Sequence, residues 1–249
     1  MLYLIGLGLG DEKDITVKGL EIIRKCNFVY LETYTSKLQV SIKQLEDFYG
    51  KKVIPADREL VEKKLDEEII LKAKENNVAL LIIGDVFSAT THNAVLESAK
   101  ENEVEVKVIH NTSILTAVGD TGLSLYKFGK VASIPFDNSE IEAPYDVLVE
   151  NKDMHTLFLL DLNPLLDKFM TVREAIEYLL SVETKRKCRE FDEETKCIGC
   201  AALGTDNAEI VYGTAKELMK AKFSKFPQCL IVPGKLHFME EEFLNAFSL

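Results

Sequence analysis

The chain contains no tryptophan, has little proline, and has fewer basic than acidic residues. With six prolines and thirteen glycines among 249 residues it is neither collagen-like nor low-complexity, and 47% apolar residues suffice for a sizeable core. Its 30 Lys and Arg residues face 41 Asp and Glu residues, so the formal net charge is −11. A surface this acidic repels a phosphate backbone, and we therefore predict that the protein does not bind nucleic acid.

Long apolar segments and a disulfide pattern are also missing. No apolar run reaches the roughly 18 residues that a membrane-spanning helix needs, so we predict no membrane partner. Residues 1–5 are apolar but lack the basic flank of a signal peptide, which favours a first buried strand. The five cysteines are odd in number and scattered, which is typical of reduced thiols in a cytoplasmic protein.

The first half of the chain is an alternation of strand and helix patterns. Strands are predicted at residues 2–5, 28–31, 78–83 and 104–109, and helices after Thr16 and over residues 38–49 and 59–75. Residues 78–83 are continuously apolar, which predicts a strand buried on both faces of a parallel sheet. In residues 104–109 apolar residues alternate with charged ones, which predicts a strand nearer the edge of the sheet. In residues 59–75 apolar residues recur every four positions, which predicts a surface helix with one buried stripe.

In the second half of the chain the predicted strands and helices no longer alternate regularly. Strands are predicted at residues 131–134, 156–160, 197–203, 210–212 and 229–232, and helices at residues 171–182, 215–220 and 239–246. Residues 208–212 follow the preceding strand too closely for a helical crossover, which predicts an antiparallel pair and a mixed sheet. We therefore predict two α/β domains, residues 1–110 and 111–249, with residues 185–196 as a solvated connection.

A glycine-rich segment, Gly6-Leu7-Gly8-Leu9-Gly10, follows the first strand and suggests dinucleotide binding, with Glu32 as the ribose-binding acid. Two features oppose it. The third glycine is one position early, and the acidic residues 11–14 occupy the place where a pyrophosphate needs a positive helix end. A glycine-permitted bend close to a less charged ligand is the better interpretation, and Rossmann-type binding is the minority one.

Gly84 and Asp85 follow the strongest strand, at the sheet edge where ligands bind in open parallel sheets. Asp85 could accept hydrogen bonds from a ribose or an amine, and Thr90 or Thr91 could cap the next helix. Equally, Asp85 could simply hold the turn, since Asp is favoured there in any case. Position alone does not separate the two interpretations.

Other segments have an ordinary structural explanation beside a functional one. Residues 113–119 form a small-residue helix start that suits either core packing or ligand approach, and residues 126–130 are a basic-aromatic spot that could attract a carboxylate or form a turn. Cys197 and Cys200 have no second ligand pair, so buried thiols are favoured over a metal site and we predict no metal. His237, like any lone histidine, is more often structural than catalytic.

Seven segments together resemble the diphthine synthase family. They run in order through essentially the whole chain and comprise residues 5–9, 14–21, 84–92, 113–119, 121–123, 126–130 and 233–237. The sequences Ala89-Thr90-Thr91-His92 and Pro233-Gly234-Lys235-Leu236-His237 are specific to this resemblance. The compact length resembles the archaeal form.

The resemblance implies a tetrapyrrole-methylase-like α/β fold with S-adenosylmethionine in the cleft between the two domains, S-adenosylhomocysteine as product, and a cytoplasmic homodimer. It implies as substrate the 3-amino-3-carboxypropyl-histidine of translation elongation factor two, whose amine is trimethylated to diphthine in diphthamide biosynthesis. Carried over position by position, the implied cofactor contacts, many of them through backbone atoms, are Leu9, Asp85, Ser88, Ser113, Ile114, Leu160, Leu203 and His237.

The chain departs from the family at three places. Val86 stands where Pro is usual, Ala202 where Arg is common, and Asn111-Thr112 where Ala-Pro is common. The first two bear on the transfer of roles to Asp85 and Leu203.

The residues do not single out a catalytic base, although an alkyl ammonium must lose a proton before methylation. Asp85 is interpreted as a cofactor ligand, and His92 and His237 have structural explanations. Two alternatives stay open: a corrinoid or tetrapyrrole-precursor methylase of the same fold, and a non-catalytic nucleotide-binding module. The −11 charge opposes the first, because a tetrapyrrole precursor is polyanionic.

Overall fold

The computed structural model describes residues 1–88 and 92–249. They form two compact units, one of residues 1–117 with 204–206 and the other of residues 118–203 with 207–249. Residues 111–117 therefore group with the first unit, whereas the sequence placed the boundary after His110. Asn111 is tied to the first unit by its side-chain amide, which donates to the carbonyl oxygens of Gly6 and Asp14, both at 3.0 Å.

The first unit contains five parallel strands among the described residues. The strands are β1 (Leu2–Gly6), β2 (Phe28–Glu32), β3 (Ile54–Ala56), β4 (Val78–Ile82) and β5 (Val106–Ile109). Their order is β3-β2-β4-β1-β5. Every residue of β4 is buried, and β5 lies at an edge, as the patterns predicted. Because β4 separates β1 from β2, the sheet does not have the Rossmann order, in which strands 1 and 2 are neighbours.

The helices of the first unit cover the faces of this sheet. They are α1 (Val17–Lys25), α2 (Ile42–Tyr49), α3 (Arg58–Lys63), α4 (Leu71–Glu75), α5 (Asn93–Glu101) and α6 (Ile114–Ala117). Helix α1 is capped by Thr16 as predicted, but α2 begins at Ile42 rather than Leu38, because Ser41 and Gln44 form a capping box there. Thr90 and Thr91, the predicted caps of α5, lie outside the described residues.

Residues 59–75 form three helical pieces instead of one helix. A π-helical segment, Asp66–Ile70, lies between α3 and α4. The predicted stripe is nevertheless buried along its whole length, at Val61, Leu65, Ile69 and Ala73. The interruption therefore leaves the inward face of the segment intact.

The second unit is built on a mixed sheet of the order β11-β10-β12-β7-β6, in which β6 and β7 are parallel and the other pairs antiparallel. Its strands are β6 (Ala132–Ile134), β7 (Thr156–Leu160), β8 (Leu162–Asn163), β9 (Lys168–Phe169), β10 (Lys196–Ala201), β11 (Glu209–Thr214) and β12 (Gln228–Val232). Its helices are α7 (Ala143–Asn151), α8 (Val172–Arg186), α9 (Ala215–Leu218) and α10 (Phe238–Leu244). The predicted antiparallel pair is confirmed as β10–β11.

The five cysteines are free thiols, and all except Cys188 are buried. Cys197 and Cys200 lie within β10, where burial raises the pKa of the Cys197 thiol. Among residues 1–88 and 92–249 there is no group of three His, Cys, Asp or Glu side chains arranged to hold a metal ion. In the same residues we find no helix with the length and hydropathy needed to cross a bilayer.

Candidate functional site

Two glycine turns at the carboxyl edge of the first sheet are bonded to each other. The turn after β1 and the turn after β4 exchange backbone hydrogen bonds, from the Gly8 N–H to the Gly84 oxygen at 3.2 Å and from the Gly84 N–H to the Gly8 oxygen at 2.7 Å. Both glycines have positive φ, 80° and 84°. A Cβ on Gly6 would lie only 2.6 Å from the Gly84 oxygen. Glycine is thus required by the close approach of these two turns.

The acidic loop after the glycines folds back onto them. The Gly10 N–H donates to Asp14 Oδ2 at 2.7 Å, and helix α1 begins only at Val17. The N–H that a pyrophosphate would use is therefore occupied by a carboxylate, and the helix N-terminus lies well beyond the glycine turn. This arrangement argues against phosphate binding and favours a ligand without phosphate.

Asp85 ties the β4 turn to the chain that leaves β5. Its Oδ1 accepts from the Phe87 N–H at 3.2 Å, and its Oδ2 accepts from the Asn111 N–H at 3.0 Å and lies 2.9 Å from His110 Nδ1. Burial raises the pKa of this carboxyl, but the hydrogen bonds lower it by more than burial raises it. The pKa of Asp85 therefore lies below its usual range. Asp85 therefore stays ionised and fixes the shape of the turn.

The other predicted positions of the first unit lie around this turn. The Ser88 hydroxyl donates to Asp85 Oδ1 at 3.4 Å, and the buried Ser113 starts α6 with its carbonyl accepting from the Thr116 and Ala117 N–H groups. A Cβ on Gly84 would lie 3.7 Å from Leu9 Cδ2 and 3.8 Å from the Ser113 Cα. The structure thus brings together Leu9, Asp85, Ser88, Ser113 and Ile114.

The second unit holds the remaining three predicted positions. Leu160 ends β7 and Leu203 follows β10, and both are buried. Strands β7 and β10 are both antiparallel to β12, so their carboxyl ends, and the two leucines there, lie at the same end of the sheet. The last residue of β12 pairs with the first residue of β7. His237, which follows β12, therefore lies at the opposite end of the sheet. The described geometry therefore groups Leu160 with Leu203 but not with His237.

Comparison with known proteins identifies the family. The family model described as tetrapyrrole (corrin/porphyrin) methylases matches residues 1–219. This chain belongs to the tetrapyrrole methylase family.

Relatives within this methylase family are similar over their full length. The diphthine methyl ester synthase of Dictyostelium discoideum is 43% identical, over 100% of this chain and 98% of the relative. That of Homo sapiens is 42% identical, over 100% of this chain and 95% of the relative. A solved structure of a diphthine synthase has a TM-score of 0.90 at 38% identity, covering 99% of this chain and 95% of that one.

These matches do not support the archaeal resemblance that the compact length suggested. The curated relatives named above are eukaryotic. A conserved hypothetical protein from the archaeon Aeropyrum pernix K1 has a TM-score of 0.86 but only 24% identity, covering 99% of this chain and 88% of that one, so it shows the shared fold alone.

A buried carboxylate of the methylase, Glu240 in α10, was not anticipated from the sequence. Its Oε1 accepts from the Ser124 N–H at 3.0 Å and lies 3.3 Å from His155 Nε2, and its Oε2 accepts from the His237 N–H at 2.8 Å. Lys127 Nζ also donates to Oε2. Burial raises the pKa of Glu240, but Lys127 and the N–H donors hold it well below its usual range.

Glu240 also explains the basic-aromatic spot at residues 126–130. Lys127 is paired with Glu240 and Lys130 with Glu150, so the positive charges of the spot are already balanced. The alternative that this segment is an ordinary turn therefore fits the structure better than attraction of a substrate carboxylate. Tyr126, which is 86% exposed, and Lys130 are the exposed residues of the segment.

Glu32, the minority candidate for a ribose-binding acid, is fully buried at the end of β2. It accepts from the N–H groups of Tyr34 at 2.6 Å and Thr35 at 2.7 Å, and from the Thr35 hydroxyl. These bonds shape the turn after β2. Its Oε2 lies 3.9 Å from Nε2 of the buried His92.

Proposed function

We propose that this chain is an S-adenosylmethionine-dependent methyltransferase of diphthamide biosynthesis, acting on the 3-amino-3-carboxypropyl-histidine of translation elongation factor two. The observation that carries the proposal is the 42–43% identity, over the full chain, to proteins named diphthine methyl ester synthase. The paired glycine turns at the carboxyl edge of the first sheet support it, since this edge is where ligands bind in open parallel sheets.

The residues around these turns suit a sulfonium nucleoside. The proposed contacts in the first unit combine two apolar side chains, two hydroxyls and an ionised carboxylate, without any basic side chain, at Leu9, Asp85, Ser88, Ser113 and Ile114. This set suits a cationic ligand better than a polyphosphate. The proposed contacts in the second unit are Leu160, Leu203 and His237, of which His237 must reach a different part of the ligand from the two leucines.

The bound cofactor supplies an activated methyl group, and the chain's own contribution is orientation. Aligned reactants can lower a barrier by about 7–11 kcal/mol. Asp85, held by donors from its own turn and from the chain after β5, and the mutually bonded turns at Gly8 and Gly84 form a rigid support for this purpose.

The number of methyl groups added is open to direct test. Trimethylation of the amine gives diphthine, whereas the relatives' name refers to a methyl ester, which needs a further methyl group on the carboxylate. The purified protein is incubated with S-adenosylmethionine and elongation factor two bearing the aminocarboxypropyl-histidine, and the factor is weighed by mass spectrometry before and after mild alkali. We expect three stable methyl masses; a fourth that alkali removes identifies the ester. An unchanged mass would overturn the proposed function.

The same experiment addresses the alternatives. A tetrapyrrole-precursor methylase would leave the factor unmodified and methylate uroporphyrinogen instead, and a non-catalytic nucleotide-binding module would bind the cofactor and methylate neither. The net charge of −11 weighs against a polyanionic substrate.

Replacing Asp85 tests the cofactor site. Asp85→Ala frees the Phe87 and Asn111 N–H groups and loosens the turn, so we expect affinity for S-adenosylmethionine to fall at least about tenfold by calorimetry. Asp47→Ala is the control, because Asp47 is an exposed residue paired only with Lys43 on α2 among the described contacts. Equal affinity of the two variants would remove Asp85 from the site.

We also propose that the protein is a cytoplasmic homodimer. Helix α10 exposes three large apolar side chains, Phe238 at 65%, Met239 at 58% and Phe243 at 51%, a surface that association of two copies would cover. Sedimentation equilibrium is expected to give twice the 28.1 kDa chain mass. A monomer at micromolar concentration would refute this part of the proposal.

A further inference from the structure

A groove of about 330 Å³ opens in the first unit. Its walls come from the segment after β2, from α3 and the π-helical segment, and from the start of α5. The residues that matter for its chemistry are Tyr34, Lys63, Asp66 and His92. The mechanism above uses none of them.

His92 links this groove to the proposed cofactor turn. His92 lies in the groove wall and is 3% exposed. It forms a hydrogen bond with the backbone of Val86, and its Nε2 lies 3.9 Å from Glu32 Oε2. Glu32 directly follows Leu31, which pairs with Leu81 near the end of β4. The histidine, its carboxylate partner and the turn carrying Asp85 and Ser88 therefore lie at the same sheet edge.

The groove carries charges of both signs. Lys63 and Asp66 are exposed on its rim, and Asp66 accepts from the Ser98 hydroxyl. An amino acid group, with one ammonium and one carboxylate, needs such a pairing of opposite charges in its site.

We propose that this groove receives the methyl-accepting aminocarboxypropyl group, with Lys63 pairing with its carboxylate and His92 taking the proton from its ammonium. This inference rests on the proposed function. The N–H bond of the ammonium breaks, its proton goes to His92 Nε2, and its electron pair stays on nitrogen as the nucleophile. His92 Nε2 is buried in this structure, so the step includes a small shift of the ring that exposes this atom to the groove. Glu32 is a positioning residue that faces the imidazolium so formed, and His92 returns the proton to solvent before the next transfer.

The electrostatics around His92 agree with this role. Burial lowers the pKa of His92, while Glu32 and the bond to Val86 raise it, with a net lowering. The ring is therefore neutral near pH 7, the form that can accept a proton. The other titratable groups in the groove walls are Tyr34, Lys63 and Asp66, and Lys63 and Asp66 carry opposite charges.

The kinetic test follows methylation of the modified elongation factor by mass spectrometry across pH. We expect His92→Gln to lower kcat for amine methylation about 10²–10⁴-fold near neutral pH, with the deficit shrinking as pH rises, because the substrate then deprotonates without help. Lys63→Gln is expected to raise KM about tenfold with kcat little changed. Lys64→Gln is the matched control, since Lys64 pairs with Glu59 at 2.9 Å and lies outside the groove lining. A wild-type pH profile in His92→Gln, or equal KM values for the two lysine variants, overturns the inference.

A second readout requires neither cofactor nor turnover. The chain has four histidines, so the imidazole NMR signals of His92 can be assigned by their loss in His92→Gln. Adding 2-aminobutyrate, the methyl-accepting fragment alone, is expected to shift these signals in the wild type and in Lys64→Gln but not in Lys63→Gln. If the factor gains no methyl group yet this shift occurs, the proposed function fails while the groove assignment stands. If methylation occurs but the signals stay unmoved, the groove assignment fails alone.

Discussion

Replacing Glu240 by alanine is expected to destabilise the protein by about 3–5 kcal/mol, as removal of one partner from a buried ion pair generally does. The side chain is 2% exposed and receives hydrogen bonds from Ser124, Lys127 and His237. Without it, a lysine and two backbone N–H groups lose their acceptor. Urea denaturation followed by circular dichroism measures the change in free energy of unfolding.

The neighbouring Glu241 supplies the control. It is exposed in the same turn of α10, so Glu241→Ala is expected to change stability by less than about 0.5 kcal/mol.

The stabilisation that Glu240 provides should also depend on pH. The pKa of Glu240 is depressed in the folded protein, so its stabilisation is fully present above the unfolded pKa of about 4.3 and is lost as pH falls toward the folded value. Hence the stability gap between the wild type and Glu240→Gln should narrow below about pH 5. Equal stability of the alanine variants, or a gap independent of pH, would contradict the ion-pair account.

Gly6→Ala is expected to damage both stability and cofactor binding. The added methyl group would lie 2.6 Å from the Gly84 oxygen, 3.0 Å from Asn111 Cβ and 3.2 Å from the Asp85 Cα. These atoms belong to two segments, the turn after β4 and the chain after β5, which meet the β1 turn at the proposed site, so relief of the clash must move at least one of the three. We expect a loss of about 1–3 kcal/mol in the free energy of unfolding, as in other overpacked sites. Calorimetry should show affinity for S-adenosylmethionine reduced more than about tenfold, since the positions that would orient the ligand are displaced.

Gly119→Ala controls for the glycine substitution itself. A Cβ there would meet Leu125 no closer than 3.6 Å, which is ordinary contact, so the stability change should stay within about 1 kcal/mol. If Gly6→Ala bound the cofactor as well as Gly119→Ala does, the paired turns would not be part of the cofactor site.

The strands were the most predictable part of the fold. Burial on both faces leaves an unbroken apolar run, so β4 could be read directly from residues 78–83. Elements without such a pattern escaped prediction. Helix α7 has Pro144 in its first turn and no clear apolar stripe, and β8 and β9 have two residues each, too few to show a period.

The candidate site was predictable only where the contacts are local. The turn at Gly84 and Asp85 follows a clear strand, so its position at the sheet edge could be inferred from the chain order. Glu240, in contrast, is an unremarkable acid in a helical sequence, and its bond to Lys127 joins residues 113 positions apart. Likewise, the approach of His92 to Glu32 depends on β2 and β4 being neighbours, which strand order in the sequence does not reveal.

The short segment of residues 204–206 has a consequence for folding of the chain during its synthesis. It belongs to the first unit, although it comes from the second half of the chain, and a Cβ on Gly204 would lie 2.7 Å from Leu9 Cδ1. During translation the sheet of the first unit can therefore assemble once residue 117 has left the ribosome, but the packing around Leu9 is completed only when residue 204 emerges. A nascent chain or a fragment ending at residue 117 would carry the glycine turns without this last contact.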